Sequence, residues 1–302
     1  MVAMMESIEH IPVMCQEVIA HMDLHPGDRV LDCTLGLGGH SREMIKAISP
    51  GGSLIAIDRD ADSLAIARNN LDDCKERCTF VQQDFRFLDR VLDELKIKEV
   101  HAILFDLGVS SYQLEAAERG FSLRHNGPLD MRMDQNSFIS AYDLINSLST
   151  SEISMILKNF GQERWHQRIA DFLVKERVKH PIESTEELKR IVISAIPRKY
   201  QERNIHPATR AFQAFRIAVN RELEALEMAI DKAVHYLRAG GRLCAISFHS
   251  LEDKIIKNKF SYHAQNGKID ILTKKPLRPS PEETSKNPRA RSARLRVAQK
   301  KG

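Results

Sequence analysis

Short apolar runs alternate with helix-spaced apolar positions from about residue 26 to residue 111. Val30–Asp32, Leu54–Asp58, Thr79–Val81 and Ala102–Asp106 are each brief and apolar and run into polar residues. Parallel strands covered on both faces read this way, because neither face has to be polar. Gly51-Gly52 separates the first helix from the second strand. From Tyr112 to about Pro207 the strand pattern stops. Ser149 with Glu152 predicts a capping box ahead of Ile153–Leu157. A second helix is expected from Glu163 to the residue before Pro181, and a third from near Thr185 to before Pro197. A long amphipathic helix is then predicted, because Phe212, Phe215, Val219, Leu223, Leu226, Ile230, Val234 and Leu237 recur at three- and four-residue steps. Such a stripe reads as core, with Gly240-Gly241 ending the helix. Arg242–Phe248 reads as a further strand, and Lys274–Pro288, rich in Pro and charge, as a loop or linker. The economical architecture is α/β: one nucleotide-binding sheet interrupted by an all-helical insertion. The expected boundaries are 1–112, 113–207 and 208–302.

The first two strands frame the most informative stretch. Val30–Ser41 passes from an apolar run through Gly36-x-Gly38-Gly39 into a helical pattern, and Asp58 follows Gly38 by twenty residues. Strand, glycine turn, helix and acid-terminated strand form half of a nucleotide-binding unit, with the acid placed to accept hydrogen bonds from ribose hydroxyls. A dinucleotide fingerprint wants a third glycine at position 41, where this chain has Ser41. A nicotinamide-dependent dehydrogenase is disfavoured on that ground. The turn suits a ligand with a ribose and an amino-acid tail, such as S-adenosylmethionine.

Bulk composition changes this picture in two places. The 302 residues carry a net charge of +4, yet Lys274–Gly302 holds ten Lys and Arg against two Glu, so the tail carries +8 and the remainder −4. A basic terminus suits an anionic polymer, with Arg289, Arg291, Arg294 and Arg296 as RNA-contact candidates beside Arg164 and Arg168 of the insertion. Five scattered cysteines, no metal-ligand spacing, no membrane-length apolar run and no leader-like segment in Met1–Glu9 lead us to expect a reduced, cytoplasmic, metal-free protein.

Ligands of open parallel sheets bind at the carboxyl ends of the strands. Those ends supply Asp32, Asp58, Asp84-Phe85 and Asp106. Phe85 is a candidate to cover an adenine face or an ordinary core residue, with Asp84 near the base edge. Asp106 opens Asp106-Leu107-Gly108-Val109-Ser110-Ser111, where it orients a nucleophilic amine, meets the cofactor's amino-acid end, or caps the turn. Two further polar-dense stretches are Gly127–Asp134 and Ser247–Asp253, the latter with His249 as a proton carrier or a structural histidine.

Taken together, His10-Ile11-Pro12-Val13, Gly38-Gly39-His40-Ser41, Asp106–Ser111, Arg119-Gly120-Phe121-Ser122, Gly127–Asp134, His206–Arg210, Ser247–Asp253 and Asn287–Ser292 resemble the bacterial ribosomal-small-subunit methyltransferase H family, the 16S rRNA (cytosine-N4)-methyltransferases. The motifs occur in family order over essentially the whole chain. The resemblance implies a Rossmann-like methyltransferase sheet with a helical insertion, S-adenosylmethionine as methyl donor, and 16S rRNA of the small ribosomal subunit as partner. Carried across by motif, the cofactor contacts are Gly38, Gly39, His40, Asp58, Phe85, Asp106 and Gln113. Asp106 is the first candidate for the group facing the amine, with Ser110 and Ser111 as alternatives. Tyr112, Asn126 and Lys254 replace a proline, an aspartate and an arginine usual in the family. The rival reading is a non-catalytic RNA-binding or assembly protein that kept the fold.

Overall fold

A computed structural model describes residues 12–201 and 205–302. Met1–Glu9 and the His10-Ile11 half of the first motif lie outside the described residues. The chain runs α1 (Cys15–Met22), β1 (Arg29–Asp32), α2 (Gly39–Ala47), β2 (Ser53–Asp58), α3 (Ala61–Asn70), β3 (Cys78–Gln82), α4 (Leu88–Glu94) and β4 (Val100–Asp106). Six helices follow: α5 (Ser111–Glu115), α6 (Ala141–Ser147), α7 (Thr150–Gly161), α8 (His166–Arg177), α9 (Thr185–Ala195) and α10 (Thr209–Asn220). The remainder is α11 (Glu222–Tyr236), β5 (Leu237–Ser247), α12 (Ser250–Gln265), β6 (Ile269–Ile271), α13 (Pro281–Lys286) and β7 (Arg294–Lys300). Residues up to Ser110 and from Leu223 onward make one compact unit, and Ser111–Glu222 make the other.

The first unit is a seven-stranded sheet of order β3-β2-β1-β4-β5-β7-β6. The first five strands are parallel, and β7 runs antiparallel to both of its neighbours. Alternate residues of each strand feed opposite faces. Leu31, Ile55, Ile103, Phe105 and Ala245 meet α4, α11 and α12 through Leu92, Leu226, Ile230, Val234 and Phe260. Val30, Leu54, Ala56, Leu104, Cys244 and Ile246 meet α1, α2 and α3 through Val18, Met44, Ile45 and Leu64. The strands were expected to be buried on both sides: β1, β2 and β4 largely are, whereas β3, at the edge of the sheet, has no fully buried residue. The strand order reverses between β1 and β4, so the crevice of such a sheet opens where Asp32 and Asp106 end.

Among its described residues the second unit contains only helices and loops. Its helix starts match the capping logic: Ser149 with Glu152 opens α7 and Ser184 with Glu187 opens α9, each as a reciprocal capping box. The Gly127–Asp134 stretch, by contrast, is not a surface site. Asp130 takes a bidentate ion pair from Arg132 at 2.8 and 2.6 Å, and Asn220 brackets Met131 and Met133 through their backbone. Arg119, only 1% exposed, donates to the carbonyls of Arg132 and Met133. A Cβ on Gly127 would lie 1.7 Å from the Ala117 carbonyl oxygen, so only glycine fits there.

Two sequence expectations need correction. The single long helix is two, because Arg221 takes a left-handed conformation (φ 49°) between α10 and α11. The apolar stripe continues in phase across the break but serves two cores. Phe212 and Phe215 are buried in α10, which packs on α7, whereas Leu226, Ile230 and Val234 pack on the sheet. The helical unit accordingly reaches Glu222 rather than residue 207. The basic tail is the second correction. Its end is β7, hydrogen-bonded between β5 and β6, with Leu295, Val297 and Ala298 fully buried. Met14 N–H also bonds the Glu283 carboxylate at 2.6 Å, tying α1 to the segment read as a linker.

Candidate active site

The glycine turn is held by its own strand ends. Asp58, at the end of β2, accepts from the Gly36 N–H at 2.8 Å and from the Asp60 N–H at 2.9 Å. Burial pushes the Asp58 carboxyl up to about 6 against these two bonds, which pull it down. Gly36 and Gly38 both lie at positive φ. A side chain on Gly38 would press on Leu71 at 3.1 Å, while one on Gly36 would meet nothing nearer than 3.9 Å. Gly38 is therefore needed by the packing of the turn, and the space over Gly36 is open to a ligand.

Asp32 is buried and accepts from the Ser41 hydroxyl at 2.7 Å and the Thr34 N–H at 3.1 Å, and burial raises its pKa against these bonds. Thr34 in turn accepts from the Asp106 N–H at 2.6 Å. These four residues lock the ends of β1 and β4 to the start of α2. Ser41 and Thr34 were missed as site-building residues. Their signal was present, since a hydroxyl at position 41 in place of glycine needs a buried partner.

His40 sits in the first turn of α2, 5% exposed, with Nε2 3.4 Å from Asp106 Oδ2. Burial by itself lowers an imidazole, but Asp106 and the neighbouring Cys15 outweigh it and push His40 up to about 10. The other Asp106 oxygen, Oδ1, is buried without a hydrogen-bond partner among the described residues. Ser110 lies over the turn, its Cβ 4.0 Å from where a Gly36 Cβ would be.

Gly38, Gly39, His40, Asp58, Asp106 and Ser110 thus converge at the carboxyl edge of the sheet. Phe85 follows β3 on the same unit, half-buried, with its ring edge-on to Phe105 at 5.6 Å. Asp84 is engaged by Arg59 and Arg86 and by its own turn, leaving it a structural ion-pair role rather than a free base-reading edge. Ser111 and Gln113 are buried in α5, within the helical unit. His249 is structural: it caps α12 by accepting from Glu252 N–H and faces the Glu252 carboxylate at 3.2 Å. Arg294 and Arg296 both pair with Asp253; Arg296, 6% exposed, is buried in support of the sheet, whereas Arg294 stays 26% exposed.

The donor set fits S-adenosylmethionine. The first-turn N–H groups of α2 have no intrahelical acceptors and suit a carboxylate. Asp58 retains lone pairs for a ribose, and the unpartnered Asp106 Oδ1 suits an ammonium group or an amine. A cluster of three acids favours a ligand that carries positive charge over a pyrophosphate.

A sheet of this order with a glycine turn and acids at its switch point defines a nucleotide-dependent transferase of the Rossmann-like methyltransferase class. Residues 7–301 match the model of the MraW methylase family, and the chain belongs to that family of S-adenosylmethionine-dependent methyltransferases. It is 46% identical to the ribosomal RNA small subunit methyltransferase H of Geotalea uraniireducens, over 98% of this chain and 100% of that one. It is 45% identical to the protein of the same name from Clostridium botulinum, over 97% and 99% of the two chains. Among solved structures, a putative rRNA-methylase from Clostridium thermocellum aligns with TM-score 0.47 and 13% identity, over 96% of this chain and 99% of that one. Among the described residues no helix is long and apolar enough to cross a membrane.

Proposed function

We propose that this chain transfers a methyl group from S-adenosylmethionine to the exocyclic N4 amine of a cytosine in 16S rRNA of the small ribosomal subunit. The methyl donor supplies an electrophilic carbon on a positively charged sulfur. What the protein must supply is alignment and an acceptor for the amine. That amine is a poor nucleophile because its lone pair is conjugated with the ring, and accepting a hydrogen bond from it favours the pyramidal, reactive nitrogen. Alignment of two reactants is worth roughly 7–11 kcal/mol when the geometry is good. The observation that carries this reading is Asp106 Oδ1, a buried carboxylate oxygen at the switch point with no partner among the described residues. His40 at the other oxygen fixes the carboxylate's orientation. Ser110 is the alternative acceptor on the same unit. Ser111 and Gln113 keep their proposed roles on the strength of motif alone.

The helical unit is proposed as the RNA-recognition part. Arg164 lies over the rings of Trp165 and Tyr200 at 5.7 and 5.4 Å, and Arg168 over Phe172 at 5.3 Å. Guanidinium and aromatic faces in one patch suit unstacked bases and phosphates. Exposed Arg289 and Arg291 add charge on the other unit. The names borne by the relatives support the ribosomal substrate. Incubation with labelled S-adenosylmethionine and small subunits lacking the modification, followed by mapping of the labelled nucleotide, tests the whole reading. Label on a cytosine N4 of 16S rRNA is expected. Cofactor binding with no transfer to any small-subunit RNA would instead mean the non-catalytic assembly protein.

A further inference from the structure

The methyl-transfer step makes no use of Trp165 or Tyr200. Trp165 is the residue before α8, and Tyr200 ends a short turn, Arg198–Tyr200, that follows α9. α8 packs on α9, and the two rings meet with centroids 5.2 Å apart and planes tilted by 41°. Each ring is pinned through its backbone. The buried Glu163 carboxylate accepts from the Trp165 N–H at 2.8 Å. The Tyr200 N–H donates to the Pro197 carbonyl at 2.8 Å, and the Gln201 side-chain amide donates to the carbonyls of Ile193 and Ile196 at 3.2 and 3.0 Å. Tyr200 is nevertheless 43% exposed. Both rings are held before any ligand arrives, which lowers the ordering cost of binding.

Cations surround the pair. Arg164 lies over both rings, Lys199 Nζ is 4.9 Å from the Tyr200 ring centre, and Arg168 covers Phe172 on the next turns of α8. Arg164, Arg168, Arg198 and Lys199 are all exposed, and none of the four side chains is hydrogen-bonded or ion-paired to another described residue. Lys232 on the other unit shows the contrast. It lies over Phe87 but is bound by Asp89 and the Arg86 carbonyl, so its charge is satisfied within the fold. Aromatic faces accept any base, since every base has a π-face, and open cations attract phosphates. A duplex hides its base faces, so only an unpaired strand can use such a platform.

The geometry points to Trp165 and Tyr200 as a stacking site for an unpaired base, with Arg164, Arg168, Arg198 and Lys199 on the flanking phosphates. The base held there is not the reacting cytosine, which needs an acceptor such as Asp106 that these residues do not supply. Face-on stacking leaves the base edge unread, so the platform anchors single-stranded RNA without choosing its sequence. This inference rests on the RNA-substrate reading and deepens it: the substrate must present an unpaired segment in addition to its target base.

Trp165 is the only tryptophan of the chain, so its fluorescence reports on the platform alone. The full chain is titrated with a short single-stranded RNA, with the same strand carrying abasic sites, and with its perfect duplex, while anisotropy of a dye on the RNA measures binding. The intact single strand is expected to quench Trp165. The abasic strand and the duplex are expected to bind through charge and leave the fluorescence largely unchanged. Tyr200→Ala should weaken single-strand binding about tenfold and leave duplex binding within about twofold, and Tyr200→Phe should restore the wild-type affinity. Arg164→Gln should reduce the salt slope of binding by about 1. If Tyr200→Ala loses helix content by circular dichroism, Tyr200→Leu replaces it. Equal quenching by intact and abasic strands, or by polyglutamate, would overturn the proposal, as would single-strand affinity unmoved by the Tyr200 variants. RNA binding seen by anisotropy with Trp165 unaltered would overturn the platform alone. No RNA binding at all would count against the RNA-substrate reading as well.

Discussion

Two segments of this chain look alike as sequence: Asp32–Ser41 with its partners at Asp58 and Asp106, and Gly127–Asp134 with Arg119. Both contain glycine and several polar residues. In the helical unit the polar groups face one another, as the Asp130–Arg132 pair, the Arg119 bonds and the Asn220 bracket show. At the sheet edge the network stops short. Asp58 and Asp32 spend their bonds on the turn, but Asp106 Oδ1 and the His40 ring are left buried and without hydrogen bonds among the described residues. An unmet buried polar atom costs a fold about 1–3 kcal/mol, a cost that a ligand supplying the missing partner at Asp106 would remove.

Substitutions sharpen this contrast. Asp106→Ala is expected to lower turnover by roughly 100- to 10,000-fold with little change in melting temperature, as for loss of a group acting on the reacting amine. Normal turnover and normal cofactor affinity in this variant would erase the distinction. Asp58→Asn keeps the size but halves the acceptor capacity and removes the charge, and calorimetry should show S-adenosylmethionine affinity down by about 10- to 100-fold. In the wild type the same affinity should fall as pH drops through about 6, where Asp58 protonates. The sign for stability is opposite. Its raised pKa means ionised Asp58 opposes folding above about 6, a cost relieved as pH falls towards the ordinary value of 3.8.

On the other side of the comparison, Gly127→Ala should cost the fold about 3 kcal/mol, visible as a lower denaturant midpoint, because its methyl meets backbone rather than a movable side chain. Cofactor affinity should stay within twofold or so of wild type, as expected for a change confined to packing. Arg296→Ala should cost about 1–2 kcal/mol by leaving Asp253 with Arg294 as its remaining cationic partner among the described residues, with the salt dependence of RNA binding unchanged. A flatter salt slope would return Arg296 to the RNA surface. The smallest effect is Ser149→Ala, about 1 kcal/mol from loss of the α7 cap, read by thermal melting.

Much of the sheet was legible because β1 to β4 are short apolar runs with nothing else to be. The sheet's far edge was not. Arg294, Arg296 and Lys300 make β7 read as a charged tail, yet these long side chains turn to Asp253 or to the Val234 carbonyl while Leu295, Val297 and Ala298 enter the core. Charge counting along a chain cannot tell an arginine in solvent from one with a carboxylate waiting for it. The helix break at Arg221 was hidden for a related reason, since an apolar stripe can stay in phase while changing the core it serves.

By itself, the sequence determined the α/β class, the glycine turn with Asp58 behind it, and the capped helices of the insertion. These depend on local periodicity and on residues near one another in the chain. Only the tertiary structure decided which polar residues find partners within the fold. That choice depends on partners such as Thr34 for Asp106 and Asp253 for Arg296. They lie far apart in sequence, and whether a buried polar group is satisfied is a property of the space around it.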